Sequence, residues 1–134
     1  MPNEKFETGL AVRTRVLGQA FVARSQGGLD DFSRPFYELA IEYCWGNVWA
    51  REGLDMRTRS LLNLAMLSSQ NRSNEFRMHV RGAINNGCSK AEIRETLIQV
   101  AIYCGVPTGA ESFKLAKEVF AEIESETTAQ EKGE

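Results

Sequence analysis

Histidine occurs once in this chain, at position 79, and the three cysteines, Cys44, Cys88 and Cys104, are widely spaced. No CxxC pair and no Cys/His ligand spacing exists, so a transition metal would have to draw mainly on carboxylates, and no metal is expected. An odd, dispersed set of thiols does not make a disulfide framework. No apolar run approaches the roughly 20 residues needed to cross a bilayer. The first ten residues, MPNEKFETGL, hold no signal-peptide core, so no membrane contact is expected and the cytoplasm is the expected compartment. Charge of one sign is also missing. Sixteen Lys and Arg face 18 Asp and Glu, giving a net charge of −2 and a pI near 5.6, which excludes an electrostatic footprint for nucleic acid. Strand-like alternation bounded by hairpin turns is absent throughout, and so is any internal repeat.

What remains is helical. Residues 1–123 are expected to form one all-α domain of about six helices, and 124–134 (ESETTAQEKGE) a polar, disordered tail. Phe6, Leu10, Val12, Val16 and Leu17 give a first helix ended by Gly18, and the segment from Gly18 to Gly28 reads as a loop. Asp30 or Asp31 caps a second helix, with Pro35 near its start and Phe36, Leu39, Ala40, Tyr43, Cys44 and Val48 on its apolar face. Trp45 and Trp49 near its end are candidates to line a pocket, although core or interface filling is the commoner fate of such rings. Asp55 caps a third helix, DMRTRSLLNLAMLSSQ, whose leucines surround most of its circumference and suggest a central position. Its first turn carries Arg57 and Arg59, the unfavourable end of the helix dipole, which is either a solvated feature or one compensated by an anion. Ser89 and Glu92 form a capping box that opens a fifth helix with Ile93, Leu97, Val100, Ala101 and Cys104 facing inward. Gly105 and Pro107 end it, and a sixth helix follows through Phe113, Ala116 and Ile123.

The chemistry concentrates on the fourth helix, within NRSNEFRMHVRGAINNG (71–87). At about 100° per residue, Phe76, Val80, Ala83 and Ile84 share a core face. Arg72, Glu75 and His79, at i, i+3 and i+7, run along one edge beside it, and Asn86 continues that edge. A base, an acid and an imidazole bordering an apolar surface suit a small polar substrate. Arg77 and Arg81 share a different side of the same helix. A surface or core role for His79, and a helix-surface ion pair for Glu75, are the plain alternatives.

LDMRTRSLLNLAML (54–67), EFRMHVRGAINNG (75–87), AEIRETLIQVAIYCGVP (91–107) and Phe113 together resemble the carboxymuconolactone decarboxylase family, and Tyr43-Cys-Trp-Gly46 fits as well. The likeness covers nearly the whole chain, with IYCGVP its most telling segment. It implies the all-helical fold shared with alkyl hydroperoxidase D-like proteins, in homo-oligomers that are commonly hexamers. It implies loss of CO2 from 4-carboxymuconolactone to give 3-oxoadipate enol-lactone, in the beta-ketoadipate route of aromatic degradation, without a cofactor. The peroxidase branch of that superfamily carries CxxC followed after three residues by His. With His79 on that histidine, the two cysteine positions hold Arg72 and Glu75, and Ser60 stands where an acid often follows an arginine. The oxidisable thiol pair is absent.

Decarboxylation of such a lactone needs two carboxylates held, an oxyanion stabilised and one proton delivered. On the resemblance, His79 is the expected general acid with Glu75 its partner. Arg59 and Arg72 are the expected carboxylate binders, since a guanidinium fork meets a carboxylate with two hydrogen bonds. Arg81 belongs to the family's HVR segment and is expected either at a neighbouring subunit's site or, preferably, in an interface salt bridge. Tyr103 and Cys104 are candidates to line the pocket. A thiol-dependent peroxide reductase and a non-catalytic helical oligomer are the alternatives.

Overall fold

The computed structural model describes residues 3–133. All regular structure among them is helical: α1 (Glu4–Leu17), α2 (Gln19–Gly27), α3 (Arg34–Ala40) running into a π-helical stretch (Ile41–Trp49), α4 (Met56–Ser69), α5 (Ser73–Asn85), α6 (Lys90–Cys104) and α7 (Val106–Lys132). The chain is all-α, as its periodicity indicates, with seven α-helices against about six expected. Its contacts divide into two compact units, residues 1–59 and 60–134.

In the first unit α1 packs along the π-helical stretch. The side-chain carbonyl of Asn3 caps α1 by accepting from the Phe6 amide, and Phe6, Val12, Val16 and Leu17 form its buried side. Two backbones meet closely here. A Cβ on Gly46 would stand 2.5 Å from the Lys5 carbonyl oxygen, and one on Gly9 would meet the Ile41 carbonyl and, at 2.8 Å, the Gly46 nitrogen. The segment after Gly18, expected as a loop, is instead α2. Its Ala, Val, Arg and Gln residues tolerate helix, Val22 anchors it at 4% exposure, and Phe21 receives the Arg13 guanidinium 5.6 Å from its ring centre.

The expected apolar face of the second helix is overturned. Phe36, Leu39, Tyr43 and Val48 are half or more exposed or close to it, while Ile41, Trp45 and Trp49 are buried. The side opposite Phe36, Leu39 and Tyr43 is the one that packs on α1, and over 41–49 it is wound as a π-helix. The Ala50 amide donates to the Trp45 carbonyl, five residues back. A π turn takes more residues than an α turn, so the buried Ile41, Trp45 and Trp49, at i, i+4 and i+8, stay nearly in line. Trp45 and Trp49 stack with ring centres 4.9 Å apart. Asp55 accepts from the Thr58 amide at 2.7 Å and starts α4 as expected.

In the second unit Leu64, Phe76, Val80, Ala83, Cys88, Ile93, Leu97, Ala116 and Val119 form one core. α7 packs on both α5 and α6. Gly109 lets α6 and α7 touch, because a Cβ there would lie 2.5 Å from the Ala101 Cβ. α4 is not apolar all round: Ser60, Leu64 and Ser68 are buried, whereas Leu62 and Met66 are about half exposed. Cys104, expected inward, is exposed because α6 ends at Gly105 (φ 112°) beyond the packed turns. The Ser89–Glu92 capping box is present. The segment expected as a disordered tail is helical through Lys132. Glu, Ala, Gln and Lys are good helix formers, and ion pairs from Lys90 to Glu124 and Arg81 to Glu126 hold the helix from outside.

Candidate active site on the fifth helix

α5 is framed by the chain around it. The Asn71 backbone turns with φ 58°, and Arg72 occupies the N-cap without a side-chain cap bond. At the other end Gly87 adopts φ 89°; its amide donates to the Ile84 carbonyl and that of Cys88 to Ala83. These two bonds are a Schellman stop, which needs the left-handed conformation that glycine adopts most easily. Glu75 sits in the first turn, where a carboxylate favours the helix dipole.

His79 is buried with 7% exposure on the side of α5 that carries Phe76, Val80 and Ala83. Glu75, one turn earlier, is exposed. The edge read from the helical wheel therefore carries the imidazole inside and the carboxylate at the surface. Asn86, half-buried two turns beyond His79, donates from its side-chain amide to the Ser60 hydroxyl at 2.9 Å, and Ser60 is fully buried. That bond joins α4 to the C-terminal end of the His79 helix across 26 positions of sequence, which no local pattern announces.

The other expected residues fall in several places. Arg72 is exposed and, with Glu111, lines a small cavity beside Phe76. Arg77 and Arg81 both face α7. Arg77 bonds Glu118 at 2.9 Å, and Arg81 takes Glu126 with two nitrogens at 2.8 and 3.2 Å, with Glu122 at 3.6 Å from each arginine. The expected Arg81 salt bridge is thus made inside the chain. Tyr103 is 82% exposed on α6, beside Ile102 at 73%. Arg59 and Trp45 belong to the first unit. Arg59 is half-buried, reaches the Arg51 carbonyl oxygen only at 3.5 Å, and its buried Nε has no acceptor among the described residues. Trp45 is 6% exposed in its stack with Trp49. Sequence reasoning passed over one further buried polar pair, Ser68 and Ser112, whose hydroxyls are 2.8 Å apart. The signal was Ser60, Leu64 and Ser68 at i, i+4 and i+8, a single face of α4.

All three thiols are free. Burial pushes the Cys44 thiol above its usual value, away from the reactive thiolate, with the nearby Arg13 charge opposing in part. Among the described residues no group of three or more His, Cys, Asp or Glu side chains could hold a metal ion, and no helix is long and apolar enough to cross a membrane.

An all-helical chain with a buried histidine on a charged helix edge now meets its relatives. Residues 34–118 match the model of the carboxymuconolactone decarboxylase family, and the chain belongs to that family. It is 39% identical over 120 residues, 90% of each chain, to the 4-carboxymuconolactone decarboxylase of Acinetobacter baylyi. It is 44% identical over 107 residues, 80% of this chain and 75% of the other, to the nitrosuccinic acid decarboxylase of Metarhizium robertsii. An uncharacterised 15.0 kDa protein of Paracoccus denitrificans is 36% identical over 88 residues, 64% of this chain and 66% of that one. The chain is accordingly a decarboxylase, a carboxy-lyase.

Proposed function

We propose that this chain decarboxylates 4-carboxymuconolactone to 3-oxoadipate enol-lactone in the beta-ketoadipate route, without a cofactor, with His79 as general acid. The supporting observation is that the chain's sole histidine is held on a helix edge with Glu75 one turn away, in a protein so similar to the Acinetobacter baylyi enzyme. In this lactone the departing carboxylate sits on the ring carbon joined through a double bond to the carbonyl. As the carbon–carboxylate bond breaks, its electron pair moves through the double bond to the carbonyl oxygen, so the substrate is its own electron sink. An imidazolium at His79 then protonates carbon and recovers its proton from solvent, a task suited to a group whose ordinary pKa is about 6.5. Glu75 orients the ring or keeps it charged.

Arg59 and Arg72 are the proposed carboxylate binders. The buried Nε–H of Arg59 that lacks an acceptor supports the first assignment, because a substrate carboxylate would satisfy it. We also propose a homo-oligomer, a hexamer on the family pattern. The exposed run of Ile98, Ile102, Tyr103 and Val106 supports it, since such patches mark interfaces. Tyr103, so exposed in its own chain, then acts on substrate through a neighbouring copy, and light scattering of the purified protein checks the assembly. Trp45 is retained as a pocket residue and Arg81 as the α5–α7 tie.

The 44% identity to the nitrosuccinic acid decarboxylase favours a second reading. A nitro group beside the leaving carboxylate accepts the electron pair as a lactone carbonyl does, so the two substrates share one logic. Following absorbance with each substrate in parallel decides between them by kcat/KM. The His79→Gln variant, with an unchanged circular dichroism spectrum, should lose about 100- to 10,000-fold in kcat. Full activity would remove His79 from the chemistry. Arg59→Ala should raise KM about 10- to 100-fold, and an unchanged KM would leave that arginine structural.

A further inference from the structure

At the Arg72 end of the His79 edge, the second unit contains a small cavity, partly open to solvent, of about 20 Å³ between α4, the start of α5 and α7. Its lining includes Ser68 and Ser112, which are 5% and 3% exposed, with the exposed Asn71, Arg72 and Glu111 and the buried Phe76. The Ser112 hydroxyl donates to the Ser68 oxygen at 2.8 Å. That bond uses one of two hydroxyl hydrogens, and the other has no acceptor among the described residues.

Five other helical hydroxyls in this chain donate back to their own helix. Thr14, Ser25, Ser69, Thr96 and Thr127 each bond a carbonyl three or four residues earlier. Ser68 and Ser112 do not, and they are among the most buried polar side chains present. A buried donor left unmet is costly, and a cavity needs only about 10–15 Å³ of this measure to admit one water with two to four polar partners.

We propose that this cavity is a permanent site for one water molecule, which accepts the spare serine hydroxyl hydrogen and donates outward to Glu111 and Asn71. The water ties α4 and α7 to the left-handed turn at Asn71 that launches the helix carrying Glu75 and His79. It thereby holds the start of that helix in register. The Glu111 carboxylate and the Arg72 guanidinium both line the cavity and offset one another, so a neutral occupant that donates and accepts fits it.

A crystal structure of the full chain at atomic resolution, with and without a sodium bromide soak, tests this. A single peak within hydrogen-bond distance of the Ser68 oxygen and of Glu111 or Asn71, carrying no bromide anomalous signal, is expected. An empty cavity overturns the proposal, and so does a bromide peak. In solution, Ser68→Ala combined with Ser112→Val removes the hydroxyls and fills the space. Amide exchange at Phe76 and Arg77 should then quicken at least about tenfold while α6 amides at Leu97 and Val100 keep their rates. Unchanged exchange at Phe76 would refute the tie. If the double variant does not fold, Ser112→Ala is used for crystals: it keeps the Ser68 hydroxyl, so the water should persist, and its loss would overturn the assignment.

Discussion

Replacing Gly109 by alanine sets two effects of known sign against each other. Glycine inside a helix is disfavoured relative to alanine by about 1 kcal/mol, so propensity alone makes Gly109→Ala stabilising. The packing opposes it. The added Cβ would stand 2.5 Å from the Cβ of Ala101, 3.0 Å from its Cα and 3.4 Å from its nitrogen. Carbon atoms settle at about 3.5–4.0 Å, and an alanine methyl has no rotamer to turn aside, so α6 and α7 must part locally by about 1 Å. That separation loosens the seam holding Leu97, Val100 and Ala116, all buried. Overpacking of this kind costs about 1–3 kcal/mol. The net expectation is destabilisation by up to about 2 kcal/mol, which lowers Tm by up to about 10 °C in a chain of this size. Urea and thermal unfolding of Gly109→Ala, Ala101→Gly and the double variant form a cycle, and the double should recover at least about 1 kcal/mol of coupling. Gly27, at the end of α2 with nothing within 4 Å of its built Cβ, is the control: Gly27→Ala should be neutral or stabilising by up to about 0.5 kcal/mol. If Gly109→Ala raises Tm as Gly27→Ala does, or Ala101→Gly gives no recovery, the close α6–α7 seam is refuted.

Three further outcomes follow from the local geometry. Gly87→Ala should lose about 1–2 kcal/mol in denaturant titrations because its φ of 89° lies in the left-handed region, and Gly87→Asn should lose less. The Thr58 backbone amide holds the Asp55 carboxyl below its usual 3.8, with the Thr58 side chain adding to it. A lowered folded pKa means its stabilisation is complete well above 3.8 and is lost as pH falls through and below that value. Asp55→Asn keeps a cap but should flatten that part of the acid unfolding curve, and an unaltered curve would refute it. Arg81→Ala removes the two-pronged bond to Glu126, so amide exchange should rise beyond Ile123. Global stability should change by less than about 1 kcal/mol, because 61% of the Glu126 side chain is exposed. Unchanged exchange there would mean the end of α7 stands on propensity alone.

Local chemistry was readable wherever a structure depends on neighbours within one turn. The Asn-Asn-Gly stop of α5, the Ser89–Glu92 box, the Asp55 cap and the Gly105 break all follow from residues within about one turn of each other. The placing of Glu75 and His79 one turn apart on α5 was readable for the same reason. The π-helical stretch was not, since a slightly wider turn leaves no mark in composition, and neither was the choice of Ile41, Trp45 and Trp49 as the face that packs on α1. Nor was the length of α7, whose end is held by Lys90 and Arg81 from other helices.

The sequence by itself determined the all-helical class, the positions of most helix ends and the identity of the single imidazole, because these depend on short-range periodicity and capping. Tertiary structure alone decided that His79 is buried while Glu75 is exposed, that Arg81 is spent on α7, and that Ser60 meets Asn86 and Ser68 meets Ser112. Those outcomes depend on which helix faces come together, and side chains 26 to 45 positions apart leave no local pattern by which their meeting can be read.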